Sequence, residues 1–126
     1  MIGVLAPYRE IADIVTDLQR DIQEPLEVVP ARVTDALDLG LRLVKAGATV
    51  LLSRGGTTDH LKTSNAEWLV GIPIVDILVT AYDVVRAVGE ARKKAEWVSV
   101  IAFPNMIEGV ESVTDLLGPK ILVNPI

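Results

Sequence analysis

The chain contains no cysteine, which excludes disulfides, thiolate nucleophiles and cysteine-based metal centres. Aromatic residues are scarce, two Trp, two Tyr and one Phe in 126 residues, so the core must be built from Ile, Val, Leu and Ala. Such an aliphatic bias suits strands buried on both faces, as in parallel sheets covered by helices. His60 is the single histidine, and neither an H-x-x-H pair nor a carboxylate cluster suggests a metal site. Basic residues are outnumbered, 12 Lys and Arg against 17 Asp and Glu for a net charge of −5, and they are scattered. The basic stripe that phosphate neutralisation requires is missing, so direct nucleic-acid contact by this segment is not expected. No apolar stretch reaches the ~18–20 residues of a membrane span. Ile2-Gly3-Val4-Leu5 at the N-terminus reads as a strand and not as a signal peptide. The expected compartment is the cytoplasm, with no membrane partner.

What remains is a chain that is 50% apolar and long enough for one domain, or one and part of a second. Apolar runs of strand length alternate with helical patterns, the signature of βα units. Strands are expected at Ile2–Ala6, Leu26–Val29, Ala48–Ser53, Ile72–Leu78, Trp97–Phe103 and Lys120–Asn124. The first helix is expected over residues 8–22 on the stripe Ile11, Ile14, Val15, Leu18 and Ile22. A second runs to Ala46 with Thr34 as N-cap and Gly47 just past its end. Gly40 inside it costs about 1 kcal/mol against Ala, which close packing on the sheet would explain. A short polar helix follows from about Thr58 to Ser64, then helices over residues 82–95 and from Met106 to Leu117. Such alternation forces right-handed crossovers and a parallel sheet, with ligands expected outside the carboxyl ends of the strands.

The residues after strands one, three, four and five therefore matter most. The strongest signal is Ser53-Arg54-Gly55-Gly56-Thr57-Thr58 between a buried strand and a helix. The glycines let the backbone turn tightly and approach a ligand, and the helix start favours negative charge. Thr57 and Thr58 offer hydroxyls, and Arg54 can hold a carboxylate or phosphate with two parallel hydrogen bonds. The same residues also fit an ordinary glycine turn with a threonine cap and a solvated arginine. Neither a Walker A loop nor a dinucleotide fingerprint is present, and no cofactor is implied. Thr80 and Asn105 each read either as a helix cap or as a cleft-facing group, and Tyr8 either as a pocket wall or as the start of a helix. His60, beside Asp59 in a polar helix, reads as solvent-exposed, and Trp68 and Trp97 as packing residues, with a partner interface as the second option.

Four ordered blocks then carry a resemblance: Val50-Leu-Leu-Ser-Arg-Gly-Gly-Thr57, Ile72-Pro-Ile-Val-Asp-Ile77, Tyr82-Asp-Val-Val-Arg-Ala87 and Val98-Ser-Val-Ile-Ala-Phe103. With them the chain resembles the N-terminal sensory domain of the propionate-catabolism activators, bacterial regulators of the sigma-54-dependent type. The resemblance implies a chelatase-like receptor of two lobes, each a four-stranded parallel sheet, closing on a small organic acid, 2-methylcitrate in the propionate regulators. Relatives carry an ATPase domain and a helix-turn-helix further on. The expected fold is thus a three-layer α/β/α arrangement on a parallel sheet, chelatase-like or flavodoxin-like. A first lobe is expected at residues 1–96, and the start of a second, incomplete lobe at 97–126. Exposed strand edges in that second lobe invite pairing with another chain, so a homo-oligomer is expected. The expected function is ligand sensing without catalysis, with Tyr8, Arg54, Gly55, Gly56, Thr57, Thr58, Thr80 and Asn105 as ligand-binding residues. The alternatives are a small phosphate- or carboxylate-binding lyase or isomerase with Asp76 or Asp83 as base, and a pure oligomerisation module.

Overall fold

The structure, a computed structural model, describes residues 1–104, 106 and 116–126. It divides into two compact units, Met1–Ile77 and Leu78–Ile126. In the first, β1 (Ile2–Ala6), α1 (Arg9–Leu18), β2 (Leu26–Pro30), α2 (Ala36–Lys45), β3 (Val50–Ser53), α3 (Gly55–Thr63) and β4 (Ile74–Asp76) follow one another. The four strands form one parallel sheet in the order β2-β1-β3-β4, which opens the flavodoxin-like doubly wound order.

Alternation along β1 distributes the core between two faces. Val4 and Ala6 meet Ile11 and Val15 of α1 on one face. Leu5 and Leu51 meet Ala36 and Leu43 of α2 and Leu61 of α3 on the other. The expected three-layer α/β/α arrangement on a parallel sheet is therefore present in this unit. Two glycines let the second layer come close. A Cβ on Gly3 would sit 3.0 Å from Leu51 Cδ2, and one on Gly40 would sit 2.8 Å from Trp68 Cη2. Gly40 thus occurs inside α2 because the Trp68 ring fills the space a side chain would need.

Several local expectations are corrected. α1 stops at Leu18, and Ile14, Leu18 and Ile22 are exposed, because the sheet accommodates only the Ile11–Val15 side of the helix. Thr34 is not an N-cap: a 3-10 turn at Val33–Asp35 leads into α2, and Asp35 holds the cap position. Gly47, with φ 112°, does end that helix region in the left-handed conformation. α3 begins at Gly55 and not at Thr58, so both glycines belong to its first turn.

In the second unit, α4 (Ala81–Arg92) is followed by β5 (Val98–Ala102) and β6 (Ile121–Pro125). The two strands pair in parallel from Val98↔Ile121 to Ala102↔Pro125 and form a sheet of their own. Val84 and Val88 of α4 are buried among Val79, Val100, Leu117, Ile121 and Val123. That packing assigns α4 to the same unit as β5 and β6, so the division falls at Ile77/Leu78 where the expected lobe boundary was 96/97. The helix expected at Met106–Leu117 lies largely outside the described residues. Trp97, expected as a packing residue or at a partner interface, is 59% exposed just before β5. Among the described residues no helix is long and apolar enough to cross a membrane.

Two substitutions test this packing. Gly40→Ala should destabilise the protein by about 1–3 kcal/mol through overpacking, despite a helix-propensity gain of about 1 kcal/mol. Urea denaturation should show this loss, and adding Trp68→Phe should recover part of it, since the clashing ring edge is then gone. Thr80 Oγ1 accepts from the Asp83 amide at 3.2 Å while Asp83 Oδ2 accepts from the Thr80 amide at 2.8 Å. Losing this capping box in Thr80→Ala should cost about 1 kcal/mol, read as faster amide exchange in the first turn of α4.

Candidate functional site

β1 and β3 are the two central strands of the first sheet, in register from Ile2↔Val50 to Val4↔Leu52. Their carboxyl ends therefore lie side by side. From β1 the connections run outward on one face through α1 to β2. On the other face, α2 returns the chain across the sheet to β3. This is a topological switch point, where the loops diverge and leave a crevice above the strand ends. Tyr8, just after β1, and Arg54–Thr58, just after β3, flank it.

The β3 side is unusually well buried for a turn that carries polar groups. Ser53, Thr57 and Thr58 are all 0% exposed. Ser53 Oγ donates to the Leu5 carbonyl at 2.9 Å, tying the ends of β3 and β1 together. Arg54 is still extended, with φ −141° and ψ 146°, and Gly55 turns the chain with φ 60°, in the left-handed region that favours glycine. Helix α3 starts there, with Arg54 at the N-cap position and Thr57 and Thr58 in the opening turn. No carboxylate lies in that first turn, so nothing acidic within it opposes an anion at the positive end of the helix.

The two threonine hydroxyls carry the chemical interest. Thr57 Oγ1 and Thr58 Oγ1 are buried without a hydrogen-bond partner among the described residues. A buried hydroxyl left unsatisfied costs roughly 1–3 kcal/mol, and native structures hold few such groups. Two adjacent ones at the head of a helix, at the switch point of an α/β sheet, fit donors set aside for something that binds.

The other expected site residues are distributed differently. Tyr8 occupies the N-cap position of α1 and is 45% exposed. Thr80 is the N-cap of α4 in the second unit, and its hydroxyl is engaged with Asp83. Asn105 lies outside the described residues. Asp76 ends β4 directly beside Ser53 in the register, and Asp83 Oδ2 accepts from both the amide and the hydroxyl of Thr80. His60 is half-buried in α3, where solvent exposure was expected. Among the described residues no group of His, Asp and Glu could hold a metal ion. Ser53 is the site residue that sequence reasoning passed over as a mere flank of the glycine turn. Its signal was present as a hydroxyl closing the apolar run Val50-Leu51-Leu52. A crevice of about 360 Å³ lined by Ser64, Asn65, Ala66, Leu69 and Val70 opens beyond the other end of α3.

Comparison with known proteins adds two findings. The family model described as propionate catabolism activator matches residues 21–126. A crystal structure of an NtrC family transcriptional regulator from Clostridium acetobutylicum superposes with a TM-score of 0.75 at 24% identity, over 98% of this chain and 64% of that one. The chain thus spans just under two thirds of that regulator's resolved length, and at this identity the likeness establishes the fold. No curated protein matches the sequence.

The orphan hydroxyls give a test that separates stability from binding. Thr57→Val and Thr58→Val keep the shape and remove the unsatisfied group, so each should leave the melting temperature unchanged or raise it. Ser53→Ala, which removes a made hydrogen bond, should lower stability by about 1 kcal/mol. Differential scanning calorimetry of the three variants distinguishes the two classes.

Proposed function

Because the chain belongs to the propionate catabolism activator family, a family of regulatory sensory domains, we propose that it senses a small organic acid for a sigma-54-type transcriptional regulator. The acid, of the 2-methylcitrate kind, binds above the carboxyl ends of β1 and β3. The observation that carries this reading is the pair of buried, unpartnered hydroxyls of Thr57 and Thr58 at the head of α3. Arg54 supplies charge to a carboxylate, the first turn of α3 supplies a positive helix end, and the threonines supply neutral donors. Tyr8 borders the same switch point from the β1 side. Thr80, committed to its capping box, is not needed for this chemistry.

Sensing requires that the ligand prefer one state of the domain over another, since a ligand of equal affinity for both shifts nothing. In this reading the protein acts without catalysis, in the cytoplasm and as a homo-oligomer, and passes the bound state to ATPase and DNA-binding domains of the full-length regulator. The lyase or isomerase reading is less well supported. Of its two candidate bases, Asp83 already accepts two hydrogen bonds in the cap of α4.

A thermal-shift screen with citrate, 2-methylcitrate, other short-chain carboxylates and inorganic phosphate tests the proposal. A true ligand at a hundredfold excess over Kd adds about 2.7 kcal/mol of stability. The expected result is a selective rise in melting temperature with one di- or tricarboxylate. The rise should be abolished in Arg54→Ala and weakened in Thr57→Val and Thr58→Val. A shift of the same size in Arg54→Ala and both threonine variants would remove this site from consideration.

A further inference from the structure

Helix α3 has less to hold it than its neighbours. Of its nine residues, Gly55–Thr63, only Leu61 and Lys62 rank among the good helix formers. A helix this short draws its stability from packing, and Leu61 is its one buried apolar side chain. Its other buried positions are Gly55, Gly56, Thr57 and Thr58, which bring little apolar surface. α2, on the same face of the sheet, packs Leu37, Leu39, Leu43 and Val44 into the core. Arg54 at the N-cap of α3 provides no side-chain cap, whereas α4 starts in the reciprocal Thr80–Asp83 box.

The weakness is concentrated at the head of the helix. With the first turn formed, the hydroxyls of Thr57 and Thr58 are buried without a partner among the described residues. With that turn open, water satisfies both. An acceptor bound above the strand ends reverses the preference, because its oxygens take both hydrogen bonds in the formed state alone. We propose that the head of α3 is the moving part of the sensor: it opens locally in the ligand-free chain, and a bound carboxylate holds it formed. This rests on the acid-sensing reading of the same site and adds the two states between which the ligand discriminates. A ligand-driven switch requires a difference in affinity between states, and the two hydroxyl bonds supply it.

The far end of α3 is anchored where its head is not. The Ser64 amide donates to the Leu61 carbonyl at 3.2 Å as the helix ends, and the 3-10 turn Glu67–Leu69 follows shortly after. That turn sets Trp68 against Gly40 of α2 and Leu69 against the core. Opening is therefore a local event of the first turn that leaves the sheet and α2 in place.

Amide hydrogen exchange of the chain, followed residue by residue by NMR, tests this. The amides of Asp59, His60 and Leu61 close the first hydrogen bonds of α3. Without ligand they should exchange at least about tenfold faster than those of residues 40–43 in α2. Thr57→Val and Thr58→Val should each slow them by about fivefold or more, because the formed head then buries one unsatisfied group fewer. In the unsubstituted chain 2-methylcitrate, citrate and inorganic phosphate are added singly. Whichever raises the melting temperature should slow the three α3 amides more than those of α2. Exchange in α3 as slow as in α2 without ligand overturns the proposal, as do valine variants that exchange as fast as the unsubstituted chain. A rise in melting temperature without added protection in α3 overturns it too, while the acid site stands. No rise with any of the three removes the acid-sensing reading itself, and this inference with it.

Discussion

The first unit depends on the burial of β1 between two neighbours and two helix layers. Val4 and Leu5 are 0% exposed and point to opposite faces, so neither layer can be removed without exposing this strand. A parallel sheet requires crossover connections, and those crossovers deliver the covering layers: α1 on one face, α2 and α3 on the other. The order β2-β1-β3-β4 follows from the chain leaving β1 first toward one edge and then toward the other. Gly3 and Gly40 belong to the same constraint, since packed neighbours, Leu51 and Leu43 at Gly3 and Trp68 at Gly40, come too close for a side chain at either.

That reversal also creates the candidate site. Where successive connections diverge, the strand ends are left uncovered by their own loops, and the residues that follow β3 are those with the chemistry to use the space. Gly55 turns the chain in a conformation that suits glycine, which brings the head of α3 up to the strand ends. Ser53 fastens β3 to β1 beneath it. Thr57 and Thr58 then sit buried, their hydroxyls without a partner among the described residues.

The second unit is organised on a different balance. Only one face of its sheet is covered among the described residues, by α4, whose start is fixed by the Thr80–Asp83 capping box. Its strands alternate half-buried and exposed residues, unlike Val4, Leu5 and Ala6, which are buried on both sides.

The sequence by itself determined the element types of the first unit and its parallel sheet. These are local matters: runs such as Val50–Leu52, prolines that stop strands, and Gly-Gly before Thr-Thr impose backbone preferences within a few residues of themselves. It did not determine where α1 ends or which of its apolar residues are buried, because Ile14, Leu18 and Ile22 satisfy the helical period as well as Ile11 and Val15 do. Nor did it show that α4 belongs with β5 and β6, since a helix between two strands can pack on either sheet. Only the tertiary structure decided these points. Burial is a property of the surface a neighbour presents, and that surface is assembled from residues far apart in the chain: Leu5 with Ser53 at the site, Val88 with Val123 in the second core.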